Sequence, residues 1–449
     1  MINLDNKIKF SNRDEYKRKS IAEKIIKLIT SDIDTSPMII DGSWGTGKTE
    51  FCYKLINLLN ERNPEYKTVY VDAFNEDHTD SPILTVLAAI VTLLPKKDRS
   101  AFVQKALPAL RFGLKTTLKA GAAWVLKQDS DKLAEEFQDA MKETSNAAID
   151  STVEALLEDH INAEKNIAAL RLALKEISKD TPIVIFIDEL DRCKPNFAIS
   201  ILENIKHVFD VDNVDFVLVT NTQQLQASIN HIYGKSVDAK RYLDKFIRFS
   251  FILSDYYKSD GYTNEYTSSQ HWKHCKSSSK ILDKLDNDVS KFIIELIENS
   301  KLSLREVETF SRYVELYQTL SDKPIAERNI FGYSIYKILA IYLYCFYKNV
   351  AQDLAREIVD PDVVSKALSI NKLDYIIRDF KYPSHISLAF YGIIQEYISS
   401  SEIFPPPSPE QKKAWDEMLA GYFYGGALYG RQQSVISIMA QAIEVMQLK

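Results

Sequence analysis

The stretch GSWGTGKT, residues 42–49, constrains this chain more than any other feature. It fits G-x-x-x-x-G-K-[ST], and its neighbours are the ones that motif needs. The apolar run SPMIIDG, residues 36–42, reads as a short buried strand, and a helical pattern follows over residues 48–59. Gly42, Gly45 and Gly47 let the backbone curl so that successive N–H groups turn inward toward an anion. The following helix adds its positive N-terminal end. Lys48 is placed to reach the outer phosphates of a nucleotide, and the Thr49 hydroxyl to ligate Mg²⁺. The expected phosphate-binding set is Gly42, Ser43, Trp44, Gly45, Thr46, Gly47, Lys48, Thr49 and Glu50, with ATP and Mg²⁺ as the expected cofactors.

Four further strands are expected at residues 67–74, 182–188, 214–221 and 246–253, and an amphipathic helix at 20–29. Near-continuous apolar strands alternating with helices predict an α/β fold with a parallel sheet covered on both faces. IVIFIDELDR, residues 183–192, ends an apolar strand in acids, so Asp188 lies at the carboxyl edge of the sheet, where such folds bind ligands. Asp188 is the expected second holder of Mg²⁺. Glu189 is suited to take a proton from an attacking water. Asn221, ending the fourth strand, offers an amide to a phosphate or to that water, or else serves as a turn former. Lys240, Arg241, Lys245 and Arg248 cluster around the fifth strand; Arg241 is the candidate cation for the transferring group, from this or a neighbouring subunit. SLRE, residues 303–306, reads as a capping box, which puts Arg305 in a first helical turn, where a cation opposes the helix dipole. Arg305 is therefore a candidate nucleotide sensor from the helical domain, or else an exposed arginine. No nucleophile elbow and no G-x-G-x-x-G is present.

The expected organisation is a core of residues 1–82 and 181–255, a helical insertion over 83–180, an exposed connection over 256–279, a helical domain over 280–401, a Pro-rich linker over 402–410 and a C-terminal helical docking element over 411–449, whose apolar face must dock on its own helical domain or on another chain. The insertion begins with a basic part, residues 101–128, holding Lys105, Arg111, Lys115, Lys119 and Lys127 and no acid. It reads as a solvated helix face or as a surface for membrane or polyanion. A net charge of −6 argues against a nucleic-acid clamp spread over the whole surface. Four cysteines without metal-like spacing fit free thiols in a reducing, cytoplasmic compartment. HWKHC, residues 271–275, has three possible metal ligands but no fourth nearby. No apolar run reaches the roughly 20 residues of a membrane span, and the N-terminus lacks a secretory h-region.

Five blocks in order resemble the KAP family of P-loop NTPases: GSWGTGKTEF, FIDELDRCKP, residues 201–229, YLDKFIRFSFIL and LREVETF. The resemblance implies a P-loop NTPase core with an additional strand, a five-stranded parallel sheet in the order 5-1-4-3-2, and a C-terminal all-α region. It implies Asp188 for Mg²⁺ and Glu189 for catalysis. Many members carry Asp where this chain has Asn221, and an association with phage defence follows from the bacterial relatives. The expectation is an ATP-hydrolysing conformational switch acting with protein partners, as a homo-oligomer or hetero-complex. The alternatives are a nucleic-acid motor using residues 101–128, or a non-hydrolysing nucleotide-dependent scaffold at a membrane face.

Overall fold

A computed structural model of the chain describes residues 8–79, 82–103, 167–258, 263–327, 330–375, 383–395, 404, 406–424 and 434–448. Strands Met38–Asp41 (β1), Lys67–Asp72 (β2), Ile183–Asp188 (β3), Val214–Thr220 (β4) and Phe249–Ile252 (β5) form a parallel sheet in the order β2-β3-β4-β1-β5. This is the expected order. Two compact units divide the chain, residues 1–254 and 255–449.

The apolar strands are explained by the two layers they serve. Ile183, Ile185 and Ile187 of β3 enter one core, and Val184 and Phe186 enter the other. Successive side chains of a strand point to opposite faces, so a strand covered on both sides has no polar face. One layer is Lys19–Ile29 (α1) and Lys48–Arg62 (α2), which bury Ile25, Ile26, Leu55 and Leu59. The other contains Pro82–Leu93 (α4), Pro195–His207 (α5) and Thr222–Tyr233 (α6), with the short helix Ala73–Glu76 (α3) following β2. All five strands end at the same edge: Asp72 pairs with Asp188 in register, and Asp41 with Thr220.

The expected insertion is not separate at its ends. Val86, Leu87 and Ile90 of α4, and Leu170 and Leu174 in the helical residues 167–178, lie in the same core as β3. Helix α4 is apolar on nearly every side because it packs on the sheet. The basic residues Lys105, Arg111, Lys115, Lys119 and Lys127 lie outside the described residues.

For the second unit one expectation is corrected, and of the two readings of the C-terminal element the intramolecular one matches the packing. The exposed connection expected over 256–279 is a hairpin, Tyr256–Lys258 (β6) with Asn264–Tyr266 (β7), followed by the helix Thr267–Ser278. Its Ser- and Lys-rich composition hides one anchor. Trp272 is fully buried and donates its Nε1–H to Ser290 Oγ at 2.9 Å, while Ser269 donates to Glu298 at 2.5 Å. The C-terminal docking element is likewise part of its own unit's core. Trp415 packs against Tyr391 and Tyr375, with ring centroids 5.1 and 5.2 Å apart, and Phe423 packs against Phe331 and Tyr336. Val435, Ile436, Met439 and Ile443 join the same cluster. Apolar patterning records that a helix is covered, not what covers it. Phe404, within the Pro-rich segment, is also buried, against Phe390.

Removing residues 409–449 should therefore uncover the Phe331, Tyr336 and Tyr391 side of this cluster. Each large side chain involved contributes about 1.5–3 kcal/mol when buried. The truncated chain should lose the cooperative unfolding of its second unit in a denaturant melt, or precipitate. A soluble truncate with an unchanged melt would restore the docking-element reading.

Candidate nucleotide site

The phosphate loop leaves the sheet directly from β1. Gly42 N–H bonds to Thr220 O at 3.2 Å, and the next residues turn back over the strand ends. Gly45 and Gly47 have φ of 77° and 79°, where a side chain is strained. A Cβ on Gly42 would stand 2.9 Å from Thr46 Oγ1 and 3.3 Å from Lys48 Cδ, so the loop closes only around glycine. Gly47 caps α2, and the first intrahelical bond is Phe51 N–H to Gly47 O at 3.1 Å. The amides before Phe51 are the unsatisfied donors of a helix N-terminus.

Lys48 is buried, and its Nζ donates to Gly42 O at 2.6 Å and to Ser43 O at 3.0 Å. Burial lowers its pKa; Asp191, Asp188 and Asp41 pull the other way. Asp188 is 1% exposed at the end of β3. Burial pushes its carboxyl pKa up, against hydrogen bonds from the Thr49 hydroxyl, the Glu189 N–H and the Tyr70 hydroxyl, and the charge of Lys48. The Glu189 amide is 2.7 Å from Oδ1 and the Tyr70 hydroxyl 3.0 Å from Oδ2. Thr49 and Asp188, the expected metal pair, thus lie near each other. A hydroxyl and a carboxylate are the hard oxygen donors that Mg²⁺ takes.

Glu189 has φ 59° and ψ 25°, a backbone conformation rare outside glycine and concentrated at functional positions. Its carboxylate pairs with Arg192 at 2.8 Å. Burial raises its pKa; Arg192 opposes, while Asp188, Asp72 and Asp191 add to the rise. Asn221 is at the same edge, but its Oδ1 caps α6, accepting from the N–H groups of Gln223 at 3.1 Å and Gln224 at 3.5 Å. The turn-forming role is therefore real, and the Nδ2 donor is what the amide retains for a ligand.

Within the first unit, the side chains of other expected residues are not gathered there. The Glu50 carboxylate binds Lys54 at 2.8 Å and Arg13 at 3.2 Å; burial works against its charge, but those two cations hold its pKa below the usual range. Glu50 thus offers a phosphate its amide, not its side chain. Arg241 is 86% exposed on the helix Ala239–Leu243 (α7) and pairs with Asp238 at 3.3 Å. Arg248 pairs with Asp34 and Asp210, and its N–H bonds to Pro37 O. Pro37 precedes β1, so Arg248 sits at the opposite edge of the sheet from the phosphate loop. Arg305 belongs to the second unit, exposed in the first turn of Leu304–Leu320, and the capping box there is complete. His271 binds Glu308 at 3.1 Å, and no metal-ligand cluster occurs among the described residues.

Several supporting residues were not foreseen. Trp44 donates its Nε1–H to Asp191 Oδ2 at 2.5 Å, and Thr220 Oγ1 donates to Asp191 Oδ1 at 3.1 Å, so one buried carboxylate ties the loop to the end of β4. Asp41 accepts from both Thr222 N–H and its hydroxyl, at 2.9 and 2.7 Å. Arg18 donates to Thr46 O at 3.0 Å. The half-exposed Trp44 inside a glycine-rich loop, and a third acid in DELDR, were the signals for the Trp44–Asp191 contact. Nothing in the sequence marked Tyr70 or Arg18.

A family profile described as the KAP family P-loop domain matches residues 18–320. The chain belongs to the KAP family of P-loop NTPases. The Phage T7 exclusion protein of Escherichia coli (strain K12) is 21% identical over 268 residues, which cover 56% of this chain and 34% of that protein. This KAP chain thus matches about a third of that relative's length. Among solved structures, the Aeropyrum pernix ORC1 protein in complex with DNA is 12% identical, with a TM-score of 0.35 over 96% of this chain and 83% of that one. C. elegans PCH-2 is 12% identical, with a TM-score of 0.30 over 69% and 64%. Scores of this size decide nothing further. Among the described residues, no helix of this KAP protein is long and apolar enough to cross a membrane.

Tyr70 yields a test of the site. Its hydroxyl orients Asp188, the role that outer partners play for metal-binding carboxylates. In Tyr70→Phe, the Mg²⁺ concentration for half-maximal metal-dependent nucleotide binding should rise by about 10–100-fold. Metal-free nucleotide affinity should change little. An unchanged Mg²⁺ requirement would remove Tyr70 from the site.

Proposed function

We propose that this KAP protein is a Mg²⁺-dependent ATPase whose nucleotide cycle acts as a conformational switch within a protein complex. The observation that carries this reading is the buried Asp188 carboxylate at the end of β3, next to Thr49 at the start of α2 and to the glycine cradle that precedes it. That placement juxtaposes a phosphate-binding loop and a divalent-cation ligand pair, the arrangement phosphoryl transfer needs. When bound, Mg²⁺ supplies charge neutralisation on the phosphate oxygens.

The residues have distinct tasks in this reading. The loop amides and Lys48 hold the phosphates; to do so, Lys48 exchanges its bonds to Gly42 O and Ser43 O for phosphate oxygens. Asp188 and Thr49 hold the cation. Glu189, with its raised pKa, takes a proton from water, and Arg192 keeps the carboxylate in place beforehand. Asn221 contributes Nδ2 as a donor to the same region. Arg241, exposed and, among the described residues, paired only with Asp238, is available to the nucleotide of a neighbouring chain. Homo-oligomers and hetero-complexes both satisfy this reading. Similarity to the E. coli Phage T7 exclusion protein supports a role in defence against phage.

Glu189→Gln preserves the side chain's shape but cannot take the proton. ATP binding should persist while hydrolysis falls by about 10²–10⁴-fold. Lys48→Ala should lose both, measured by equilibrium binding and phosphate release. Hydrolysis at the normal rate in Glu189→Gln would remove Glu189 as the base.

A further inference from the structure

Arg18 is placed as no surface cation would be. It precedes α1, is 5% exposed and forms no ion pair among the described residues. Its Nη1 donates to Thr46 O at 3.0 Å, its Nη2 donates to Ser254 O at 3.1 Å, and its Nε is buried without a hydrogen-bond partner. A buried guanidinium bonded to two main-chain carbonyls and stacked over the Tyr16 ring, with its centre 5.0 Å from the ring centroid and no carboxylate among the described residues bonded to it, is a costly arrangement for a fold to keep. The two carbonyls it joins explain why it is kept.

The first lies inside the phosphate loop. Thr46 is flanked by Gly45 and Gly47, both at positive φ, so the peptide planes around it have few steric brakes on rotation. In a trans peptide the carbonyl and the following N–H point in opposite directions. Holding Thr46 O outward on Arg18 thus directs the Gly47 N–H the other way, toward the cradle. The second carbonyl lies where the chain leaves the first unit. Ser254 is that unit's last residue, just after β5, and Leu253 N–H is bonded to Asp41 O at 2.8 Å. One side chain therefore holds both the orientation of the loop and the exit of the chain.

We infer that Arg18 is a positioning residue that locks the Thr46–Gly47 peptide for phosphate binding and links loop occupancy to the segment around Ser254. The inference rests on the nucleotide-binding reading of the loop. Sequence patterning does not point to it, because Arg18 sits among Arg13, Lys17 and Lys19 in an ordinary polar stretch.

The test uses the full chain, with ADP and Mg²⁺ as the probe and hydrogen exchange at residues 252–257 as the readout. In the wild-type chain, saturating ADP should change amide exchange there. In Arg18→Lys, which keeps the charge but cannot span two carbonyls, the dissociation constant for ADP should rise about tenfold, the scale of one lost charge-assisted hydrogen bond. At ADP concentrations that saturate the variant, the exchange response at 252–257 should be absent. Wild-type affinity in the variant, or an unaltered exchange response, overturns the inference. So does a wild-type chain that binds ADP without any response at 252–257, an arm that stands even if the variant does not fold. A wild-type chain that binds no ADP overturns the nucleotide reading as well, which separates the two failures.

Discussion

The burial of one carboxylate organises the candidate site. Asp188 is almost wholly removed from water at the end of the interior strand β3, where a charge is tolerated only with donors around it. Those donors come from separate elements: the Thr49 hydroxyl from the first turn of α2, the Tyr70 hydroxyl from β2, and the amide of Glu189 from its own turn. Meeting the needs of Asp188 thus fixes the pairing of β2 with β3 and the position of the phosphate loop together. The same desolvation that raises its pKa makes the position receptive to a cation.

A second carboxylate extends the arrangement. Asp191 receives the Trp44 indole from the loop and the Thr220 hydroxyl from β4, so the loop is braced from two strand ends. Lys48 lies between these acids and is bonded to the loop's own carbonyls. The loop is thus held in shape by internal bonds that phosphate oxygens can replace. The parallel sheet makes this possible, since every strand ends at one edge, where Asp72 arrives in register with Asp188 and Asp41 with Thr220, one residue further along.

Much of this was legible in the sequence, for definite reasons. GSWGTGKT needs glycine at positive φ, and that requirement survives in the letters; so does the run of β3, whose two buried faces remove any polar alternation. The capping box at Ser303 and Glu306 is local and was readable too. What failed was what depends on distant partners. The buried Trp272 stood in a Ser- and Lys-rich stretch that reads as a connection, and the C-terminal aromatics looked available for docking until Tyr336, Tyr391 and Phe331 were seen against them. Asn221 was placed at the right edge, yet its oxygen caps a helix. Tyr70 and Arg18 gave no signal, because a tyrosine on a strand and an arginine before a helix are ordinary until their acceptors are known.

The central claim is that the loop and Asp188 together recognise the phosphates of a nucleotide with its metal. Calorimetric titration of the wild-type chain with ADP, with ADP and Mg²⁺, and with adenosine tests it most directly. The account predicts affinity that falls at least about tenfold when the phosphates are removed, each tenfold being about 1.4 kcal/mol, and a further gain for ADP when Mg²⁺ is present. Equal affinity for adenosine and ADP, or no binding of either ADP form, would contradict it.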